Sequence, residues 1–214
     1  MPDGKVIKVM KNGPYLVYGD IPLFFEYLKK DALGRADKWE KGERIYPDTE
    51  VYALCRCGNS TNPPFCTCKH DDFDGTETAS KGPYSERCKS YPGGSGIELL
   101  QDPKLCTGAG FCHSRHNVMR TIRKDRTVDI AKEQVSNCPG GSLVLKVNGE
   151  ELEPDLKKEI LVTLVSGRLA SVRVRGGIPI ISENGEEYEV RNRVALCQCG
   201  KSDNKPFCDA SHLR

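Results

Sequence analysis

The chain has 214 residues, a net charge of +2, 37% hydrophobic residues and eleven cysteines. Acidic and basic residues balance within each third of the sequence, which argues against a nucleic-acid partner. Apolar runs such as 160–162 are strand-sized and far short of a membrane span. The hydrophobic share lies below the roughly 45–50% of ordinary globular domains, so several small units stapled by cofactors are expected rather than one large core.

The opening residues Met1-Pro2-Asp3-Gly4-Lys5 hold no apolar signal-peptide core, so the thiols are expected to serve a reducing, cytoplasmic setting rather than disulfides. Val6 to Gly19 reads as a β-hairpin turning at Asn12-Gly13, with Tyr15 to Tyr18 as its second strand. A third strand is expected to begin at Ile21-Pro22-Leu23. Phe24 to Trp39 carries Phe24, Tyr27 and Leu28 at helical spacing, which predicts a short amphipathic helix, with a solvated loop as the alternative. Glu50 to Leu54 is the next expected strand, and it delivers the chain to Cys55.

Cys55, Cys57, Cys66 and His70 follow within sixteen residues, and Asp71 to Gly96 then reads as an irregular linker. A strand at Ile97 to Leu100 precedes Cys106-Thr-Gly-Ala-Gly-Phe-Cys112, and Cys138-Pro139-Gly140-Gly141 leads into another at Leu143 to Val147. Strands are next expected over Glu159 to Val165 and Leu169 to Arg175, separated by a Ser166-Gly167 turn. Ile178-Pro179-Ile180, an Asn184-Gly185 turn and finally Cys197, Cys199, Cys208 and His212 complete the chain.

The last plan repeats the first. Cys, Cys, Gly, Ser, Pro, Phe, Cys and His fall at the same relative positions in 55–70 and 197–212. Ile21 and Ile178 lie 157 residues apart, whereas Cys55 and Cys197 lie 142 apart, so the N-terminal copy holds a net insertion of fifteen, expected in its helix-like segment. Three thiols and an imidazole are soft and borderline donors, and Cys-x3-His puts two of them on one face of a helical turn. Zinc and an iron–sulfur cluster both suit such a set.

Both stretches resemble the CDGSH signature of the NEET iron–sulfur family. The resemblance implies a 2Fe-2S cluster on Cys197, Cys199, Cys208 and His212, and a second on Cys55, Cys57, Cys66 and His70. Asp209 and Ser211 are expected to support the C-terminal cluster. Thr67 stands where Asp209 is, able to cap as a neutral hydroxyl, and Cys68 replaces the usual glycine, so the His70 site is expected to be the less stable one.

The middle of the chain resembles divergent mono-cluster ferredoxins, with Ala109 in place of a second cysteine. That likeness makes Cys106, Cys112 and Cys138 ligands of a 3Fe-4S or 4Fe-4S cluster, with Cys88, His113, His116 or nothing as the fourth. Together the resemblances imply a β-rich α+β protein. Residues 1–72 and 151–214 would be CDGSH-type units forming an intramolecular pseudo-dimer, with short helices starting at Cys66 and Cys208. Residues 73–96 would be a linker and 97–150 a ferredoxin-like domain appended to one side.

The implied function is electron transfer, with the ferredoxin-like centre in the middle of a relay between redox partner proteins. The alternative is a cluster carrier, store or redox and pH sensor that hands clusters to apo-acceptors. No catalytic constellation is apparent, so an enzyme is not expected. Neither a membrane nor nucleic acid is an expected partner, and the chain is expected to act as a monomer.

Overall fold

A computed structural model of the chain describes residues 4–47 and 49–213. The N-terminal part holds β1 (Val6–Val9), β2 (Tyr15–Tyr18), β3 (Leu23–Lys30), β4 (Ala36–Ile45) and β5 (Tyr52–Leu54). The central part holds α1 (Tyr84–Arg87), β6 (Lys89–Pro92), β7 (Ile97–Gln101), α2 (Val118–Thr121), α3 (Val128–Ser136), β8 (Leu143–Val147) and β9 (Glu150–Glu151). The C-terminal part adds β10 (Glu159–Val165), β11 (Arg168–Arg175), β12 (Ile180–Ile181) and β13 (Arg193–Cys197).

The expected hairpins form. β1 and β2 pair antiparallel, with Ile7, Val9, Tyr15 and Val17 buried at alternate positions. Asn12 in their turn takes a φ of +46°, which asparagine tolerates better than most residues. β10 and β11 turn at Ser166-Gly167, both in the left-handed region.

The helix expected over Phe24 to Trp39 does not form. These residues lie in the antiparallel hairpin β3–β4 and its turn, where the Asp31 carboxylate accepts from the N–H groups of Leu33 and Arg35 at 2.9 and 3.0 Å. An aromatic run favours extended backbone, and β3 pairs in parallel along β10, a strand that would otherwise present an open edge. Glu26, turned inward, meets Arg173 of β11 in a buried two-pronged ion pair at 3.0 and 3.1 Å. The fifteen extra residues thus lengthen a hairpin.

The two outer parts exchange strands. One sheet runs β12-β1-β2-β5 and the other β13-β11-β10-β3-β4. Ile7 pairs with Ile180 and Ile160 with Leu23, so the strand after each Ile-Pro lies against the hairpin of the other copy. Ile7, Val17 and Leu54 share one core with Ile160, Val172 and Leu196. The chain is a β-rich α+β protein in which the two repeats form a pseudo-dimer.

The central sheet runs β6-β7-β8-β9, so part of the stretch expected to be irregular, 89–92, is a paired strand. Helices α2 and α3 pack Val118, Ala131 and Val135 on Leu99 and Leu145. Leu100, Leu105 and Val144 join the main core instead. Two side chains tie this part down. Arg193 of β13, fully buried, donates to the carbonyls of Val135, Ser136, Cys138 and Leu143 and pairs with Glu153. Trp39 of β4 donates to the Asn137 carbonyl at 3.0 Å and packs its ring 5.2 Å from that of Phe111. Among the described residues, no helix is long and apolar enough to cross a membrane.

Candidate metal centres

Each outer site is built where a strand ends. β13 runs into Cys197, and the loop beyond it folds back so that Phe207 bridges to Leu196. Cys197 N–H donates to the Pro206 carbonyl and Cys208 N–H to that of Ala195, both at 2.8 Å. The N-terminal loop repeats this: Phe65 bridges to Leu54, Cys55 N–H donates to Pro64 at 2.8 Å and Cys66 N–H to Ala53 at 2.9 Å. Backbone bonds therefore place the first and third cysteines of each set.

The donor spacing is that of two metals. Cys197 Sγ and Cys199 Sγ are 3.7 Å apart, as are Cys55 Sγ and Cys57 Sγ. Two thiolates on one tetrahedral metal, with bonds of about 2.3 Å, stand roughly 3.8 Å apart. Cys208 Sγ lies 3.5 Å from His212 Nδ1, again the edge of one tetrahedron. Yet no three of Cys197, Cys199, Cys208 and His212 have donor atoms all within 4.8 Å of one another. Two donor pairs, each spaced for one metal, suit a two-metal centre better than a single zinc ion.

Protonation points the same way. Burial pushes the Cys208 thiol up to about 12 and lowers His212, so that imidazole is neutral and ready to ligate. The hydrogen bond between Cys197 and Cys199 holds the Cys199 pKa below the usual thiol value and raises that of Cys197. Thiols buried in this way become thiolates against a metal cation, which deprotonates them outright.

The supports differ as the sequence implies. Asp209 accepts from the N–H and the hydroxyl of Ser211 at 3.0 and 2.5 Å and from the Asp203 N–H at 2.9 Å. Thr67 accepts from the Thr61 N–H at 3.2 Å. Cys208 is buried where Cys66 is half-exposed. The helices expected at Cys66 and Cys208 are absent: among the described residues only a 3-10 turn, Ser211–Leu213, follows Cys208, and none follows Cys66. The backbone leaves the helical path because Cys68 and Ala210 take φ values of +55° and +69°.

Cys106, Cys112 and Cys138 line one cavity with Thr107, Gly108 and Pro139. Burial, then the neighbouring Cys138 and Cys106, push Cys112 up to about 11. None of the three candidate fourth ligands lines that cavity. Cys88 packs against the main core, and His113 Nδ1 sits 3.2 Å from Asn117. His116 faces a separate hollow with Asp37 and Arg115.

The sites are strung together in an order the sequence does not show. A Cβ on Gly58 would lie 2.8 Å from the Cys199 carbonyl oxygen, and one on Gly200 2.5 Å from that of Cys57, so the outer loops abut. Gly108 of the central loop meets Leu213 and Ala210. His212 and Gly108 to Gly110 also line a common cavity of about 400 Å³ with Trp39 and Thr163. The C-terminal site, not the one formed by Cys106, Cys112 and Cys138, lies between the other two along these contacts. Tyr15, unmarked by any motif, directs its hydroxyl at the carbonyls of Cys197 (2.8 Å) and Pro206 (2.9 Å).

Paired thiolate and imidazole donors on a strand-exchanged β scaffold define a cluster-binding protein with two repeated centres. Comparison with protein families agrees: the model described as iron-binding zinc finger, CDGSH type, matches residues 12–71 and 170–213. The chain thus carries two domains of the CDGSH family, a type that binds 2Fe-2S clusters. Neither the curated proteins nor the solved structures compared with it gave a match.

Proposed function

We propose that the chain is an electron-transfer protein holding two 2Fe-2S clusters and one 3Fe-4S cluster. The observation that carries this reading is the contact chain of three thiolate-rich sites, Gly58 on Cys199 and Gly108 on Ala210 and Leu213. When bound, the clusters supply one-electron carriers, with potentials for mixed His–Cys ligation falling somewhere between about −400 and +300 mV. The chain's own residues fix their spacing and shield them. Cys106 is exposed and offers a docking edge, whereas Cys197 and Cys208 are buried.

Three cysteines without a fourth donor in the cavity favour 3Fe-4S over 4Fe-4S in the centre. Electrons enter or leave at Cys106 and at the half-exposed Cys57 and Cys66, and the partners are redox proteins. Anaerobic purification with iron and sulfide quantitation, followed by EPR of both redox states, tests the reading. Eight acid-labile sulfides are expected from the three clusters, at two, two and four each. Reversible reduction by a ferredoxin reductase supports the relay. Zinc without sulfide sinks it, and transfer of clusters to an apo-acceptor with no electron exchange replaces it by the carrier function.

A further inference from the structure

The N-terminal site holds one donor too many. Cys66 Sγ, Cys68 Sγ and a ring nitrogen of His70 all lie within 4.8 Å of one another. Cys68 stands at the repeat position of Ala210, and its φ of +55° matches the left-handed +69° there, so the backbone places both side chains alike. The Cys68 N–H also donates to Cys66 Sγ at 3.4 Å, which holds the two cysteines together. The C-terminal site has no counterpart, because alanine offers no ligand atom.

We infer that Cys68 is an alternative ligand to His70 for the metal that Cys66 binds. The N-terminal site then accepts a cluster through four thiolates or through three thiolates and an imidazole, whereas the C-terminal site has the second set alone. This rests on the reading that the site holds a 2Fe-2S cluster. Exchange breaks the iron–nitrogen bond and forms an iron–sulfur bond, with the thiol proton passing to solvent and no electron moving. A thiolate adds negative charge where imidazole adds none, so the exchanged form has the lower potential.

The positions of Cys68 and Ala210 supply the test. His70→Ala, His212→Ala, Cys68→Ser and the double variant Cys68→Ser/His70→Ala are purified anaerobically in the full chain. Iron, sulfide and the nitrogen coupling seen by pulsed EPR are then measured for each. His70→Ala is expected to keep the N-terminal cluster with its histidine coupling gone, while His212→Ala loses the C-terminal one. The double variant is expected to lose the N-terminal cluster and to retain the C-terminal signal, which shows that the chain is folded. Equal cluster loss in His70→Ala and His212→Ala overturns the inference. So does full retention in the double variant. Wild-type protein without sulfide instead overturns the cluster reading beneath it, before any variant is compared.

Discussion

Gly58 lies against Cys199 so closely that a Cβ would stand 2.8 Å from the cysteine's carbonyl oxygen, and Gly200 repeats the contact on Cys57. A cluster loop in each repeat therefore uses a glycine to seat on the cysteine pair of the other. Strand exchange brings the sheets together and these glycines bring the sites together. The pseudo-dimer is thus also a device for holding two centres at short range.

Gly58→Ala is expected to disturb both outer centres. The residue has a φ of +83°, which costs an alanine about 1–3 kcal/mol, and the Cβ adds a collision with backbone that cannot swing aside. Gly167→Ala separates the two effects, since its φ is +75° with nothing within 4 Å. Thermal melts and visible circular dichroism of the two variants check this. Loss in Gly58→Ala no greater than in Gly167→Ala would mean that the loops do not depend on each other.

Tyr15→Phe should act on one centre only. The hydroxyl reaches the Cys197 and Pro206 carbonyls, and burial raises its pKa well above the usual value, so it remains a donor at all working pH. Its repeat counterpart is Val172, which bears no hydroxyl. Removal of the donor leaves buried carbonyls short of a partner at a cost of about 1–3 kcal/mol. Faster bleaching of the C-terminal cluster, with the N-terminal lifetime unchanged, is the expected result in a two-site decay measurement. Equal acceleration at both sites would count against this role.

Arg193→Met is expected to loosen the central site through the chain that carries Cys138. Four carbonyls and Glu153 lose a fully buried guanidinium, a disruption of the kind that costs about 3–5 kcal/mol. The central cluster should go first, read as loss of its EPR signal while the 2Fe-2S signals persist. Simultaneous loss of all three would show that Arg193 supports the whole fold and not this contact.

The CDGSH motifs and the hairpins are legible because they are local: Cys-x-Cys, Cys-x3-His and Asn12-Gly13 fall within a few residues. β3 was misread because Phe24, Tyr27 and Leu28 fit a helical face, and what decides their state is β10, more than a hundred residues on. Glu26 likewise finds its partner, Arg173, 147 residues on. The order of the sites was hidden for the same reason, since chain order makes the middle segment look central, whereas a Cβ on Gly108 would meet Ala210 and Leu213 near the end of the chain. Gly58 and Gly200 did carry a signal, their common place in the repeat, but position alone does not say what presses on a glycine.

Glu159→Gln should reveal an acid-sensitive clasp between the repeats. Lys41 of β4 and Arg175 of β11 both bond the Glu159 carboxylate. Burial pushes the carboxyl up, but these two cations outweigh it and hold the group below its ordinary value. A carboxyl depressed in the folded state releases its proton more readily there than in the unfolded chain, so its contribution is complete above the unfolded value of about 4.3 and lost as pH falls through the folded one. At pH 7 the variant should be less stable by about 1.5–3 kcal/mol. Chemical unfolding of both proteins at pH 7, 5, 4 and 3 checks the sign: the gap should hold to pH 5 and close below pH 4. A gap that stays constant to pH 3 would mean that shape, not charge, makes Glu159 matter.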